Sequence, residues 1–507
     1  MKWLTNNWLI IVILLVSLFL RTYRIADTMT FLEDEGRDML IAKRMIDTGR
    51  PVLLGPQTST GNMYLGPFYY YFITPALYLS GMAPVGPAIL IAITGVITTY
   101  LLYIFTNKYF GKLPAYMASL MFAVLPFSVS VTRSSWNPNL VPLISVLMLL
   151  NYFSIYANKA KKINWIYHGI LIGVMVQLHY MALVYCAAVS MLIVWDHRKQ
   201  LTPLLKGIGL SFAGFTLMLI PFIVFELRNN WVNTHALTRF LEAKEERNIR
   251  YDLPAWLWWD KVSSTSYRLI GNTLIGSETG NKPFLVPVIT IFFSLLILGL
   301  STNLKTKNYQ FLRLLVILAI SLAVLGIYQE NIHMHYLEFA IPLIILSLAT
   351  LVAQVYNKYI KIITTVFILS ILYIGGRHSL IYVNSGKTYQ VEKAKIITDY
   401  IASKANGRAY NLVSSPQTST SPYQYFAFSN IHPPSNKMEK LIYMICQNQE
   451  CDPSELQNPY MFFQGPSHPT LDNYIGHPLA TVVAAEKHIL SNEHVFIGIW
   501  VAEIVLE

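Results

Sequence analysis

The chain has 507 residues, of which 54% are hydrophobic and only 13% are charged, and its mean hydropathy is +0.43. Ordinary soluble proteins have about a quarter of their residues charged, so this composition excludes that class and indicates a membrane protein. The net charge of +11 suggests a nucleic-acid partner. The position of the basic residues, in short loops between apolar runs, argues against one.

The first apolar run, residues 8–20, follows Lys2 and in that respect is similar to a secretory signal peptide. No small-x-small cleavage site follows it, and Arg21 and Arg24 come next. We therefore interpret the run as a retained first helix.

Further apolar runs reach roughly the length that crosses a bilayer. They lie at 85–106, 114–131, 140–157, 204–225, 284–301, 311–328, 336–355 and 359–376. The stretch 163–195 is too long for one helix, and we interpret it as two short helices that meet near Gln177–Tyr180. The pattern predicts a polytopic α-helical membrane protein with about eleven spans.

Lys and Arg concentrate in short loops, which is typical of the cytoplasmic side. These loops lie at 108–112, 159–162, 198–206, 305–313 and 358–361. With a cytoplasmic N-terminus, the segments predicted outside are 21–84, 132–139, 177–180, 227–283, 329–335 and everything after 377. This alternation of inner and outer segments holds only if 67–82, which contains two prolines and four tyrosines, does not fully cross the membrane. We therefore predict an interfacial or re-entrant helix there, and a genuine span is the alternative.

The last part of the chain, 380–507, is more polar and contains short apolar runs typical of strands, namely "RAYNLV", "KLIYMIC" and "HVFIGIWVAEI". We predict a transmembrane domain at 1–378, whose first outer loop is 21–84, and an extracytoplasmic α/β domain at 379–507. An oxidising compartment would permit a disulfide between Cys446 and Cys451, although their spacing alone does not decide it.

The first outer loop contains the charged stretch "FLEDEGRDML", residues 31–40. As a helix start it would place Asp34 and Glu35 in the first turn, where the helix dipole favours carboxylates. Helical spacing would put Asp34, Arg37 and Asp38 along one side. A solvated, ion-paired helix start is the simpler interpretation. The Gly, Pro and aromatic residues that follow, among them Tyr64 and Tyr69, favour a lined cleft at the membrane edge.

Other predicted outer loops contain polar and aromatic residues that are candidates for a functional site on the same side of the membrane. They are Arg133, Trp136 and Asn137 in "TRSSWNPN", His179 in "QLHY", and His333, His335 and Tyr336 in "HMHY". Each also has a structural interpretation without a functional role, since arginines extend their charged ends to the membrane interface and buried histidines are common. No cofactor follows from these residues. The two loop histidines leave a divalent metal site open.

These blocks resemble a known family. "DEGRDMLIAKRMIDTGRPVLLGP" with "YLGPFYYY" resembles the first outer loop of the C-type (GT-C fold) glycosyltransferases that use polyprenyl-phosphate sugars, a superfamily that includes the protein O-mannosyltransferases (glycosyltransferase family 39) and the lipid A aminoarabinose transferase. "TRSSWNPNLVP", "QLHY" and "HMHYLEFAIP" resemble later blocks of its bacterial branch. The resemblance covers roughly residues 1–355 and implies a GT-C-like architecture.

The resemblance implies an inverting transfer of a monosaccharide from a polyprenyl-phosphate donor to an acceptor hydroxyl on the outer face of the plasma (inner) membrane. Asp34 would be the general base, with Glu35 orienting or sharing hydrogen bonds. Arg37 would bind the donor phosphate, with Arg133 and the loop histidines as weaker candidates. The acceptor, whether glycan, lipid or protein, stays undefined.

One departure concerns residues 65 and 66. Some relatives carry Glu-Lys before the Pro of this block, whereas this chain has Leu65 and Gly66 before Pro67. A phosphate-binding Lys is therefore missing, which weakens any inference about the donor. The alternative function is a transporter or flippase for lipid-linked glycans, although no paired halves are visible in the sequence.

Overall fold

We describe the protein from a computed structural model. The structure describes residues 2–58, 63–159, 161–242, 254–278, 282–305, 307–328, 331–355, 361–385, 388–415, 418–435, 439–452, 487–496 and 499–506.

The described residues up to 385 are mostly helical, and every predicted span overlaps a helix. The helices are α1 (Lys2–Thr22), α2 (Ile25–Thr28), α3 (Glu33–Thr48), α4 (Phe68–Leu79), α5 (Val85–Tyr109), α6 (Lys112–Val124), α7 (Pro126–Ser130), α8 (Val141–Ser154), α9 (Lys162–Leu178), α10 (Leu183–His197), α11 (Leu201–Arg228), α12 (Val232–Glu242), α13 (Ala255–Ile275), α14 (Leu285–Lys305), α15 (Tyr309–Leu325), α16 (Ala340–Val355) and α17 (Lys361–Asn384).

Among the described residues, 6 helical segments are long and apolar enough to cross a membrane. They are Val85–Tyr109, Asn137–Ala157, Tyr180–His197, Leu201–Arg228, Lys282–Lys305 and Lys361–Asn384. Shorter apolar helices lie at Asn7–Thr22, Lys112–Val124, Tyr309–Leu325 and Ala340–Val355. The predicted polytopic helical class is confirmed, whereas the count of about eleven spans stays a prediction.

The aromatic segment 67–82 forms the short helix α4, which has 12 residues. At the helical rise of about 1.5 Å per residue it is about 18 Å long, well short of a hydrocarbon core of about 30 Å. Its length therefore suits the interfacial or re-entrant helix that we predicted from the distribution of basic residues among the loops.

Within its described residues, the C-terminal part contains two helices and a four-stranded sheet, which confirms the predicted α/β class of this part. These elements are α18 (Gln390–Ala405), α19 (Ser421–Ala427), β1 (Asn411–Ser414), β2 (Leu441–Gln447), β3 (Lys487–Phe496) and β4 (Ile499–Leu506). The strand order is β1-β2-β4-β3. β1 runs parallel to β2, and the other pairs are antiparallel.

The two helices pack on this sheet through a hydrophobic core that includes Ile397, Ile401, Tyr423, Tyr443 and Ile445. The last predicted strand, "HVFIGIWVAEI", is divided between the end of β3 and β4, which pair with each other. Residues 453–486 of the predicted domain lie outside the described residues.

The disulfide between Cys446 and Cys451 forms, with the two Cα atoms 5.4 Å apart. It joins the end of β2 to the residues that follow it. The remaining cysteine, Cys186, is buried in α10 and is not in a disulfide.

The chain divides into two compact units, each built from separate stretches of the sequence. The linear division at 378 and 379 stays a prediction. The first unit comprises 1–25, 52–72 and 87–385. The second comprises 26–51, 73–86 and 386–507. Two pieces of the first outer loop, including α3, therefore belong to the same unit as the C-terminal sheet.

Candidate functional site

The charged stretch forms the start of α3, which we call the acidic helix. Glu33, Asp34 and Glu35 occupy its first turn, where unpaired backbone N–H groups favour carboxylates. The Glu35 carboxylate accepts a hydrogen bond from the Leu32 N–H at 3.0 Å, which ties the first turn to the residue before it. The helix ends at Gly49, whose φ of 65° suits a left-handed C-terminal residue.

Arg37 joins two aspartates on one side of the acidic helix. Its Nη1 donates to Asp34 Oδ1 at 2.7 Å. Its Nε and Nη2 both donate to Asp38 Oδ1, at 3.0 and 2.7 Å. Asp38 is fully buried, whereas the Asp34 side chain is 44% exposed and that of Arg37 is 26% exposed. The structure thus brings the predicted base and the predicted phosphate ligand together.

Asp38 is the residue that the sequence interpretation left without a role. It shares the Asp34–Arg37 face at helical spacing, which is the signal that could have identified it. Because it is buried and accepts two hydrogen bonds from Arg37, it holds the guanidinium in one orientation.

Glu35 points to the interior, and its side chain is only 4% exposed. Burial raises the pKa of Glu35 from 4.5 to about 7, because the ionised form loses its hydration. Backbone hydrogen bonds lower this pKa, and the neighbouring Asp34 and Asp38 raise it. Glu35 therefore differs from Asp34 in environment, although the two are adjacent in sequence.

Five predicted residues from three separate loops meet in the first unit, and we call them the histidine–aromatic cluster. They are Trp136, His179, His333, His335 and Tyr336. His335 lies at its centre, with ring centroids 4.5 Å from Trp136, 4.5 Å from Tyr336, 5.6 Å from His179 and 5.6 Å from His333.

The two histidines at i and i+2 share the cluster because their segment is not an α-helix. His333 has an extended backbone, and a 3₁₀ turn over Met334–Leu337 follows it. Their rings are stacked at an interplanar angle of 17°. On an α-helix, side chains at i and i+2 would not face each other.

His179 ends α9 with an extended backbone, and its ring is held by a local hydrogen bond. Its Nδ1 accepts from the Met181 N–H at 3.2 Å, so the neutral ring carries its proton on Nε2. Burial, and then the neighbouring His335, lower the pKa of His179 below its usual value. The ring is therefore a neutral donor at physiological pH.

Arg133 is buried within the protein and does not extend to the membrane interface. It is 1% exposed, and its Nη1 and Nη2 donate to the carbonyls of Leu20 and Tyr23 at 2.6 and 2.9 Å. These bonds satisfy carbonyls at the end of α1. Its predicted contact with a donor phosphate stays a prediction.

Three other predicted cleft residues connect the blocks of the first unit. The Tyr69 hydroxyl lies 2.8 Å from Ser135 Oγ, and the Asn137 amide donates to the Leu178 carbonyl at 2.5 Å. The Tyr64 carbonyl accepts from the Tyr180 hydroxyl at 2.7 Å. Each of these contacts is structural, and a substrate role for these residues stays a prediction.

The missing Lys at position 66 has a steric explanation. A Cβ on Gly66 would overlap the Oε1, Cγ and Cδ atoms of Gln177. The Gln177 amide nitrogen is held by the carbonyls of Gly173 and Met218, at 2.8 and 3.0 Å. Because that side chain is fixed, position 66 has no room for a lysine.

Glu338 follows the 3₁₀ turn of the cluster and was given no role from the sequence. It is 1% exposed, and neither carboxylate oxygen has a hydrogen-bond partner in the part of the chain that the structure describes. Among the described residues, no group of three or more His, Cys, Asp or Glu is arranged to hold a metal ion.

Comparison with known proteins gives a partial match to a family model and a match to solved structures. Residues 65–225 match the family model of dolichyl-phosphate-mannose-protein mannosyltransferase. No curated protein sequence matches the chain.

Two of the similar solved structures are of ArnT from Cupriavidus metallidurans. The structure bound to undecaprenyl phosphate has a TM-score of 0.59 at 11% identity and covers 99% of this chain and 98% of that one. The apo structure has the same TM-score and identity, with 98% of each chain covered.

The oligosaccharyltransferase of Archaeoglobus fulgidus in complex with Zn and sulfate is a more distant structural match. It has a TM-score of 0.50 at 13% identity. The match covers 84% of this chain and 62% of that one.

The ArnT-like fold and the family match support a multi-pass membrane protein of the C-type glycosyltransferase class. The C-type fold expected from the resemblance is confirmed, and the transporter or flippase alternative is not favoured. Within the class, the matching model is that of the dolichyl-phosphate-mannose-protein mannosyltransferases, and the structural likeness to ArnT extends over nearly the whole of both chains.

Proposed function

We propose that this protein transfers a monosaccharide from a polyprenyl-phosphate donor to an acceptor hydroxyl, with inversion, on the outer face of the plasma membrane. The observation that carries the proposal is the pairing of the half-exposed Asp34 with Arg37, whose Nε and Nη2 donate to the buried Asp38. A reactive carboxylate and a phosphate-binding cation thus lie one helical turn apart.

Asp34 is the proposed general base. It accepts the proton of the acceptor hydroxyl as that oxygen attacks the anomeric carbon. The bond from the anomeric carbon to the phosphate oxygen breaks, and polyprenyl phosphate leaves with the electron pair. A single displacement of this kind inverts the anomeric centre.

Arg37 is the proposed ligand of the donor phosphate, because a planar guanidinium suits phosphate oxygens. In the structure its Nη1 is hydrogen-bonded to Asp34. A bound phosphate would compete for that nitrogen and release the Asp34 oxygen, while the two bonds to Asp38 keep the guanidinium oriented. Donor binding would then generate the free base.

The histidine–aromatic cluster is proposed to contact donor or acceptor. Aromatic rings offer an apolar face with polar edges, which suits a sugar ring or the first part of a lipid chain. The neutral His179 donates from Nε2, and His333 and His335 supply further ring nitrogens. Tyr64, Tyr69 and Asn137 are proposed to shape the cleft around these groups.

The outer-face assignment and the polyprenyl donor have separate support. The basic loops support a cytoplasmic N-terminus and an extracytoplasmic C-terminal domain. We place the transmembrane domain at 1–378 and the extracytoplasmic domain at 379–507. The similar ArnT structure contains undecaprenyl phosphate, which supports a donor of that chemical class here.

The test uses the purified full-length protein in detergent with a panel of polyprenyl-phosphate monosaccharides. Sugar transfer, or release of free sugar when no acceptor is known, is compared between wild type, Asp34→Asn and Asp47→Asn. Asp47 is the matched control, because it lies on the same helix, is 50% exposed and forms its ion pair with Lys43, away from Arg37. Loss of turnover by about 100-fold or more in Asp34→Asn, with donor binding retained, is expected. Full activity in Asp34→Asn would remove Asp34 from the chemical step.

A further inference from the structure

Glu33, the residue directly before the proposed base, is bonded to the C-terminal part of the chain. Its Oε2 accepts hydrogen bonds from the N–H groups of Thr420 at 2.7 Å and Ser421 at 3.1 Å. Its Oε1 accepts from the Ser421 hydroxyl. One carboxylate thus takes three hydrogen bonds from residues at the start of α19, and charge-assisted bonds of this kind are the strong ones.

Gly36 makes the second contact between the acidic helix and α19. A Cβ built on Gly36 would lie 2.5 Å from the Pro422 backbone nitrogen and 2.6 Å from the Ser421 carbonyl carbon. Backbone atoms cannot rotate away as a side-chain end can. The glycine in "DEGRD" is therefore explained by close approach of α19, since its own backbone is helical.

Aromatic packing extends this contact to both pieces of the first outer loop that lie in the second unit. Phe31 is 1% exposed and packs edge-on against Tyr425, with ring centroids 6.1 Å apart. The Tyr425 hydroxyl donates to the Met82 carbonyl at 2.6 Å. α19 is itself anchored to the sheet through Tyr423, which lies in the core of the α/β part.

Glu33 and Gly36 lie on the side of the acidic helix that contacts α19. Successive residues of an α-helix are about 100° apart, so Asp34 lies about 100° around the helix from Glu33 and Arg37 only about 40° from it. The proposed reactive side therefore adjoins the side that contacts α19.

From these contacts we infer that the C-terminal α/β part sets the position of the proposed base, with Glu33 and Gly36 as positioning residues that act through Asp34. The inference rests on the proposed function and assigns a role to the C-terminal domain within it. Positioning matters because a displacement of about 1 Å can change a rate by about 100-fold.

The experiment compares wild type, Glu33→Gln and Gly36→Ala in the full-length protein, with Glu392→Gln as the matched control. Glu392 is an exposed acid in the first turn of α18, in the same unit. Two readouts are taken, namely hydrogen exchange of backbone amides across 33–45, and kcat, donor KM and the pH profile of sugar transfer.

We expect faster exchange across 33–45 and a kcat at least about tenfold lower in both variants. Donor KM should change little, the pH profile should keep its shape, and Glu392→Gln should behave as wild type. Unchanged exchange would overturn the inference, whatever the rate. Faster exchange with unchanged kcat would also overturn it, since the contact would then be structural only.

Failure of the proposed function would be distinguishable from failure of this inference. Asp34→Asn should lose turnover while keeping wild-type exchange across 33–45. If Asp34→Asn stays active, the base assignment fails. A kcat loss in Glu33→Gln that removes one limb of the pH profile would assign direct proton transfer to Glu33 and overturn its positioning role.

Discussion

Arg37 donates two hydrogen bonds to a single oxygen of Asp38, from Nε at 3.0 Å and from Nη2 at 2.7 Å. Asp38 is fully buried, so this pair orients the guanidinium from the protein interior. The remaining terminal nitrogen, Nη1, points to the more exposed Asp34. A residue with no assigned role in the sequence therefore determines how the predicted phosphate ligand is presented.

Asp38→Asn should weaken donor binding more than it weakens turnover. Asparagine keeps the size and one acceptor oxygen, but it loses the charge that holds Arg37. Hydrogen bonds to charged groups contribute about 1.5–3 kcal/mol, so we expect donor KM to rise about tenfold or more. Steady-state kinetics with a polyprenyl-phosphate sugar measures this, and Asp47→Asn is the control. An unchanged donor KM would show that Arg37 needs no such anchor.

Glu35 should make the protein less stable as pH rises. Its pKa is raised from 4.5 to about 7 by burial, so its stabilising contribution is complete below about pH 4.5 and is lost as the pH passes through about 7. The raised pKa corresponds to roughly 3 kcal/mol between the two limits. The thermal midpoint of wild type should therefore fall more between about pH 5 and pH 8 than that of Glu35→Gln. Parallel midpoint curves for the two proteins would contradict this prediction.

His335→Ala should disrupt the histidine–aromatic cluster, because its ring contacts those of Trp136, His179, His333 and Tyr336. We expect donor or acceptor KM to rise by about tenfold, as is typical when a central stacked ring is lost. His335→Phe separates ring packing from imidazole hydrogen bonding. His432→Ala, at an exposed position, serves as the control. Wild-type kinetics in His335→Ala would exclude the cluster from substrate binding.

Arg21→Met should lower stability without a direct effect on the proposed chemistry. Arg21 is fully buried and donates to the carbonyls of Phe122, Ala123 and Ser128, where α6 gives way to α7. Removing the guanidinium takes a donor from each of these buried carbonyls, although Phe122 and Ser128 keep hydroxyl donors from Ser128 and Thr132. A buried acceptor left without a donor costs about 1–3 kcal/mol. The thermal midpoint in detergent should fall well below that of Arg228→Met, an exposed arginine of the same unit. Equal midpoints would mean that water replaces the guanidinium.

Reduction of the Cys446–Cys451 disulfide should destabilise the C-terminal part. The closed loop is short, with a sequence separation of 5. Loop-closure entropy predicts a contribution of about 2 kcal/mol. A reducing agent should lower the thermal midpoint of wild type and leave that of a Cys446→Ala, Cys451→Ala double variant unchanged. Equal responses of the two proteins would assign the effect to another group.

The sequence by itself determined the membrane class, the helical segments and the α/β class of the C-terminal part. Hydropathy, loop charge and strand propensity are local properties, so they can be recognised without tertiary contacts. Helical spacing in "FLEDEGRDML" likewise predicted that Asp34 and Arg37 share a face, and the structure has them 2.7 Å apart. The resemblance added the C-type fold, which the structural comparison confirms.

Only the tertiary structure decided the partners of the remaining residues. Glu33 and Ser421 are 388 positions apart, and Arg133 and Leu20 are 113 apart, so no local pattern specifies either contact. The close approach at Gly36 and the steric block at Gly66 likewise depend on backbone and side chains brought in by folding. Packing also groups two pieces of the first outer loop with the C-terminal sheet, although they are distant from it in sequence. Pairings between distant segments depend on burial and hydrogen bonds formed across the fold, which adjacent residues do not encode.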